Sequence, residues 1–118
     1  MTIFRASVAV FALTLAGAAH AAQPIAGRWL TEDGAAIVQV GPCGTSTCGR
    51  IATVVKARPG APTTDVNNPD AALRNRPMVG LPILSGFTQS GDEWRGRIYD
   101  PRNGKSYKSI VTRGANDT

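Results

Sequence analysis

Asp65, Asn67 and Asp70 place three oxygen-bearing side chains within six residues, a spacing from which a hard cation such as calcium can draw ligands. The run departs from the loop such sites need. Pro69 stands at its fifth position and no glycine follows at the sixth, so caps and Asx turns account for the same residues more simply. Two carboxylate pairs, Asp65 with Asp70 and Glu32 with Asp33, remain as candidates for acid–base work, and both sit where solvated turn residues are expected. The one histidine, His20, lies in a segment read below as a leader. Its loss removes the usual general base near neutral pH, and with it Ser–His and Cys–His nucleophile pairs. The chain therefore reads as a non-enzyme, with no catalytic residue, no metal site and no cofactor.

Cys43 and Cys48 are the two cysteines, set in Pro42-Cys43-Gly44-Thr45-Ser46-Thr47-Cys48-Gly49. Two glycines allow the bend, and in an exported protein the pair reads as a disulfide closing a turn. The C-x4-C spacing is not the C-x-x-C of thiol oxidoreductases, and zinc would require further ligands.

The elements that position these residues are short strands. Gly27-Arg28-Trp29-Leu30-Thr31 reads as the first, Asp33-Gly34 as a hairpin turn, and Ala36 to Val40 as the second. The cysteine loop makes the next reversal and Arg50 to Lys56 the third strand. After the long stretch 57–82, Ile83 to Thr88 resumes as the fourth. Glu93 to Tyr99 has the clearest alternation, with Trp94, Gly96 and Ile98 on one face and Arg95, Arg97 and Tyr99 on the other. Asp100-Pro101-Arg102-Asn103-Gly104 turns the chain into a sixth strand, Lys105 to Thr112. In the crossover between the two halves, Asn68 is placed to cap a helix over Pro69 to Asn75. Asp70 falls in its first turn, Arg74 and Arg76 near its end, and Pro77 stops it. The fold class is mainly β: an antiparallel meander forming an incomplete small β-barrel, lipocalin-like or similar, with one short helix in the crossover.

The N-terminus has the layout of a secretory signal peptide: Arg5, then the apolar run Ala6 to Gly17, then Ala19-His20-Ala21 at A-x-A spacing. Cleavage after Ala21 divides the chain into a leader, 1–21, and a single domain, 22–118. The apolar run is shorter than the roughly 18 residues of a membrane anchor. The expected location is the periplasm or the medium. Without Arg5, 12 basic residues stand against 8 acidic, a net charge of +4. The cations are scattered in sequence from Arg28 to Arg113, so the clustered footprint of a nucleic-acid binder is missing and they read as solvated positions on strand faces.

Several ordered motifs carry a family resemblance: Gly27-Arg28-Trp29-Leu30-Thr31; Pro42-Cys43-Gly44 with Cys48-Gly49-Arg50-Ile51; Asp65-Val66-Asn67-Asn68-Pro69-Asp70 with Leu73-Arg74-Asn75-Arg76-Pro77; Gly80-Leu81-Pro82-Ile83-Leu84; and Ile98-Tyr99-Asp100-Pro101-Arg102-Asn103-Gly104-Lys105-Ser106-Tyr107. Together they resemble the bacterial exported family called domain of unknown function 2147. The resemblance implies a periplasmic or secreted protein with no assigned activity, so no catalytic residues carry over. Family members continue through a further strand pair ending near a Trp, which implies that this chain is C-terminally truncated.

The expected function is non-catalytic binding of a small apolar or amphipathic envelope molecule. Trp29, Phe87, Trp94 and Ile98 would line a barrel interior, with Arg74, Arg76 and Tyr99 at its rim. The competing expectation is an interaction or structural module that docks another envelope protein through the 65–82 crossover, held by Asp65, Asn67, Asn68 and Asp70, or through an open strand edge.

Overall fold

The computed structural model describes residues 22–113; the expected signal peptide, 1–21, lies outside them. Within that range the alternating segments form six strands: β1 Gly27–Leu30, β2 Ala36–Cys43, β3 Ser46–Val54, β4 Pro82–Ser90, β5 Glu93–Asp100 and β6 Lys105–Val111. They make one antiparallel sheet in the order β1-β2-β3-β4-β5-β6, the meander expected from hairpin spacing. The sheet does not close. Among the described residues β1 and β6 each pair on one side only.

Register sorts the side chains into two faces, because directly opposed residues share a face and alternate residues along a strand do not. Trp29 opposes Val38, which opposes Ile51; Leu84 opposes Ile98, and Trp94 opposes Val111. These residues mark the inner face. Its core is Val38 and Val40 with Ile25 from the lead segment, packed by Trp29, Ile83, Leu84, Trp94 and Val111. Two indoles hold that lead in place. Trp29 Nε1 donates to the Ile25 carbonyl at 2.9 Å, and Trp94 Nε1 donates to the Gln23 carbonyl at 2.8 Å. A segment preceding β1 thus reaches β5, which requires the sheet to curl around it.

The turns are built as their sequences imply. The Thr31 hydroxyl accepts from the Ala35 and Ala36 amides and donates to Asp33, whose carboxylate also accepts from Ala35. Those bonds hold the Asp33 carboxyl below its ordinary range. At the β5–β6 turn the Asp100 carboxylate accepts from the Arg102 guanidinium and amide, with the same consequence.

Two expectations need correction. The third strand begins at Ser46 and not at Arg50, because the cysteine loop is itself the tip of a β2–β3 hairpin, with Cys43 opposite Ser46 and Cys48 opposite Gly41. The helix over Pro69 to Asn75 is a single 3-10 turn, Ala71–Leu73, and its cap is Asp70, whose carboxylate accepts from the Ala72 amide at 3.0 Å. Asn68 is used otherwise: its Oδ1 accepts from the Asp70 amide and its Nδ2 donates to Asp65. With Asn68 buried and bonded inward, the helical start moves two residues along.

The Cys43–Cys48 disulfide is present, with Cα atoms 5.6 Å apart, inside the usual span for such bridges. Closing so short a loop contributes about 2 kcal/mol, on the order of 10 °C in a domain of this size. Reduction is expected to lower the melting temperature by that amount; an unchanged melting temperature in thermal scans with and without reductant would remove the bridge's structural role.

Candidate functional site

The inner face leaves an apolar cleft of about 240 Å³. It is lined by Trp29, Leu30 and Thr31 at the end of β1, by Val38, Val40 and Leu84, by Val111 and Thr112 at the end of β6, and by Ile25 of the lead. It runs between the edge strands β1 and β6, where the curled sheet comes nearest to closing. The Arg113 guanidinium stands 5.1 Å from the centroid of the Trp29 ring and donates to the Pro24 carbonyl at 3.3 Å. The cleft is therefore apolar inside and flanked by a cation. Such a surface can bury an apolar body from water.

A second constellation lies where the crossover docks on β5. Asp65 is fully buried. Its carboxylate accepts from the Tyr99 hydroxyl at 2.7 Å and from Asn68 Nδ2 at 2.8 Å, and the Arg76 guanidinium stands 3.6 Å away as an ion pair. Arg76 Nε is buried without a hydrogen-bond partner among the described residues. The backbone closes the same loop, since the Asp65 amide donates to the Arg76 carbonyl and the Met78 amide to that of Thr63. Arg74 Nε donates to the Asn68 carbonyl at 2.7 Å. Asn67 reaches across to the β5–β6 turn, donating to the carbonyls of Pro101 and Arg102. Gly104 is required at that contact: its φ is +73°, and a Cβ there would collide with the Asn67 carbonyl. Burial, together with the bond to Asp65, pushes the Tyr99 phenol up to about 12.

The residues expected to share one site divide between three places. Trp29 lines the cleft, and Trp94 packs against its core and holds the lead. Phe87 does not line it: the ring is fully buried and lies over Gly96, whose missing side chain leaves the space. Ile98 is opposed to Leu84 on the inner face but is not part of the cleft wall. Arg74, Arg76 and Tyr99 belong to the docked crossover and not to a rim of the cleft. Asp65, Asn67, Asn68 and Asp70 hold that crossover through the bonds just described and the Asp70 cap. Ile25, Leu30, Val38, Val40, Leu84 and Val111 are lining residues that sequence reasoning missed, although strand alternation places most of them on the core side. What alternation does not reveal is which core positions stay uncovered.

Residues 27–118 match the family described as "Uncharacterized protein conserved in bacteria (DUF2147)". Among solved structures the chain is similar to protein HP1028 from Helicobacter pylori, described as belonging to the lipocalin family, with 25% identity and a TM-score of 0.60. The similarity covers 70% of this chain and 56% of that one, so the chain spans little more than half of its structural neighbour. No curated protein matches the chain.

Tyr99→Phe removes one of the hydrogen bonds to the buried Asp65 carboxylate while keeping the ring. A loss of about 1.5–3 kcal/mol in denaturant unfolding is expected. The pH dependence has a definite sign. A phenol raised from 10 to about 12 stabilises the fold fully below pH 10, and that contribution is lost as pH rises to about 12. Unfolding curves of the parent should lose stability across that window, and those of Tyr99→Phe should lack this component.

Proposed function

The chain belongs to that bacterial family, and we propose that it is an exported, non-catalytic domain that binds a small apolar or amphipathic molecule in the cleft between β1 and β6. One observation carries the reading: the inner face of the sheet keeps an apolar cleft of about 240 Å³ instead of collapsing into core. The volume lies just under the roughly 300–1,000 Å³ of drug-sized sites. It suits one small apolar molecule or the apolar end of a longer amphiphile. The lipocalin description of the structural neighbour supports a binding role for this kind of sheet. Export to the periplasm or medium rests on the leader-like segment ending Ala19-His20-Ala21. The non-catalytic reading rests on the lack of histidine after His20 and on the commitment of Asp65 to Tyr99, Asn68 and Arg76.

A second reading, docking of another envelope protein by strand addition, is favoured by β6, seven residues long and paired on one side only among the described residues.

Native mass spectrometry of protein purified from the periplasm, together with titration of the fluorescent probe N-phenyl-1-naphthylamine, separates the two. Leu30 lines the cleft yet is 62% exposed, so Leu30→Asp leaves the core intact. It is expected to weaken probe binding about tenfold or more, because less apolar surface covers the probe and a charge now stands in the cleft. A co-purifying small mass that Leu30→Asp abolishes supports the cleft. Probe binding unchanged by that substitution, with defined complexes of a second protein, moves the function to the strand edge.

A further inference from the structure

The edge of the sheet at β6 is regular. Its residues oppose those of β5 one for one, Lys105 with Asp100 through Val111 with Trp94, whereas the β2–β3, β3–β4 and β4–β5 pairings each contain a register shift. The strand has no proline. Bulges and prolines are common protections of an edge, and without them a straight row of backbone amides and carbonyls faces outward. Lys105, Ser106, Tyr107 and Lys108 are exposed and Ile110 is 54% exposed, so this part of the edge stands clear of the cleft, whose lining on this strand is Val111. Lysine is the protection that remains. Lys108 lies directly opposite Arg97, a like-charge pair that weakens a sheet, and Arg97 in turn lies opposite Ser85. The row Ser85, Arg97, Lys108 thus reaches the open edge with two positive charges and no carboxylate.

We propose that β6 takes an added strand from another protein, antiparallel like every other pair of this sheet, and that the added strand sets a carboxylate opposite Lys108. The proposal rests on the strand-addition reading above and gives that partner its chemistry. Main-chain hydrogen bonds to an edge supply affinity, and side chains at alternate positions choose the partner. Directly opposed residues share a face, which fixes the pattern the partner must carry. A carboxylate opposite Lys108 supplies the negative charge its row lacks, and an apolar side chain opposite Ile110 covers it. An aromatic or β-branched residue opposite Tyr107 makes a favoured cross-strand pair on the other face. Antiparallel pairing inverts the order Tyr107-Lys108-Ser109-Ile110, so the segment runs apolar, any residue, acidic, aromatic or β-branched in its own direction. A second copy of β6 does not meet this requirement, because it brings lysines and no carboxylate to the edge.

The test is an NMR titration of the isotopically labelled chain, as it accumulates in the expressing cell, with hexapeptides acetylated and amidated at their ends. Acetyl-Ile-Thr-Glu-Tyr-Thr-Thr-amide is expected to shift the amide signals of Lys105 to Ile110. It should bind roughly fivefold more tightly than the same peptide with lysine in place of glutamate. Lys108→Glu should reverse that order and keep the fold, since a carboxylate then faces Arg97. An added strand bonds to β6 through alternate residues only. N-methylation of one alternate set of peptide amides should therefore abolish binding, and N-methylation of the other set should leave it within a few fold. Equal affinity of the glutamate and lysine peptides, with that alternation kept, overturns the acidic partner and leaves strand addition standing. Loss of the alternation, shifts elsewhere than β6, or no binding by any peptide overturns strand addition itself and the proposal with it. Shifts of β6 that grow with protein concentration alone assign the edge to a second copy and overturn the proposal as well.

Discussion

A carboxylate buried to zero exposure sets the terms for the crossover end of this molecule. In a thin core whose largest fully buried side chains are Phe87, Leu81 and Asp65, an unpaired negative charge would cost several kcal/mol, a large share of a small domain's margin of stability. Asp65 is therefore supplied from three directions: Asn68 from its own turn, Arg76 from the returning arm of the crossover, and Tyr99 from β5. Residues 55–81 contain a single three-residue helical turn and no named strand, yet they hold a defined path. They do so because both arms are tied to the same charge and Asn67 fastens the loop to the neighbouring hairpin.

The sheet itself obeys a simpler constraint. With one residue of Trp29–Val38–Ile51 type facing in for each of Arg28–Gln39–Arg50 type facing out, the period-two alternation makes two surfaces of opposite character. The inner one gathers apolar side chains without filling the space between its edges; the outer one carries exposed polar and charged side chains.

Much of this is legible in the residues. Asp33-Gly34, the cysteine loop, Gly91-Asp92 and Asn103-Gly104 mark the four hairpin turns, and the alternation in β5 separates its two faces. The crossover helix is not, because local capping signals at Asn68 compete with a tertiary demand they do not announce: the side-chain amide of Asn68 is needed by a charge three residues earlier. Phe87 escapes for a related reason. Its ring fills the gap above Gly96 on the adjacent strand, a pairing set by a β4–β5 register that contains a bulge between Ser85 and Thr88. The meeting of Arg97 with Lys108 is invisible for the plainest reason, since the two are separated in the chain and become directly opposed only through strand register.

The bonds that hold the lead segment have a kinetic consequence. Every strand pairing joins consecutive strands, so the sheet can grow hairpin by hairpin on either side of the crossover. The bond from Trp94 to Gln23 spans 71 residues, and that from Arg113 to Pro24 spans 89. Loop closure of that length gains nothing until the sheet between its ends already exists. The lead therefore docks on a sheet already formed, and Ile25 completes a core that the strands alone leave open.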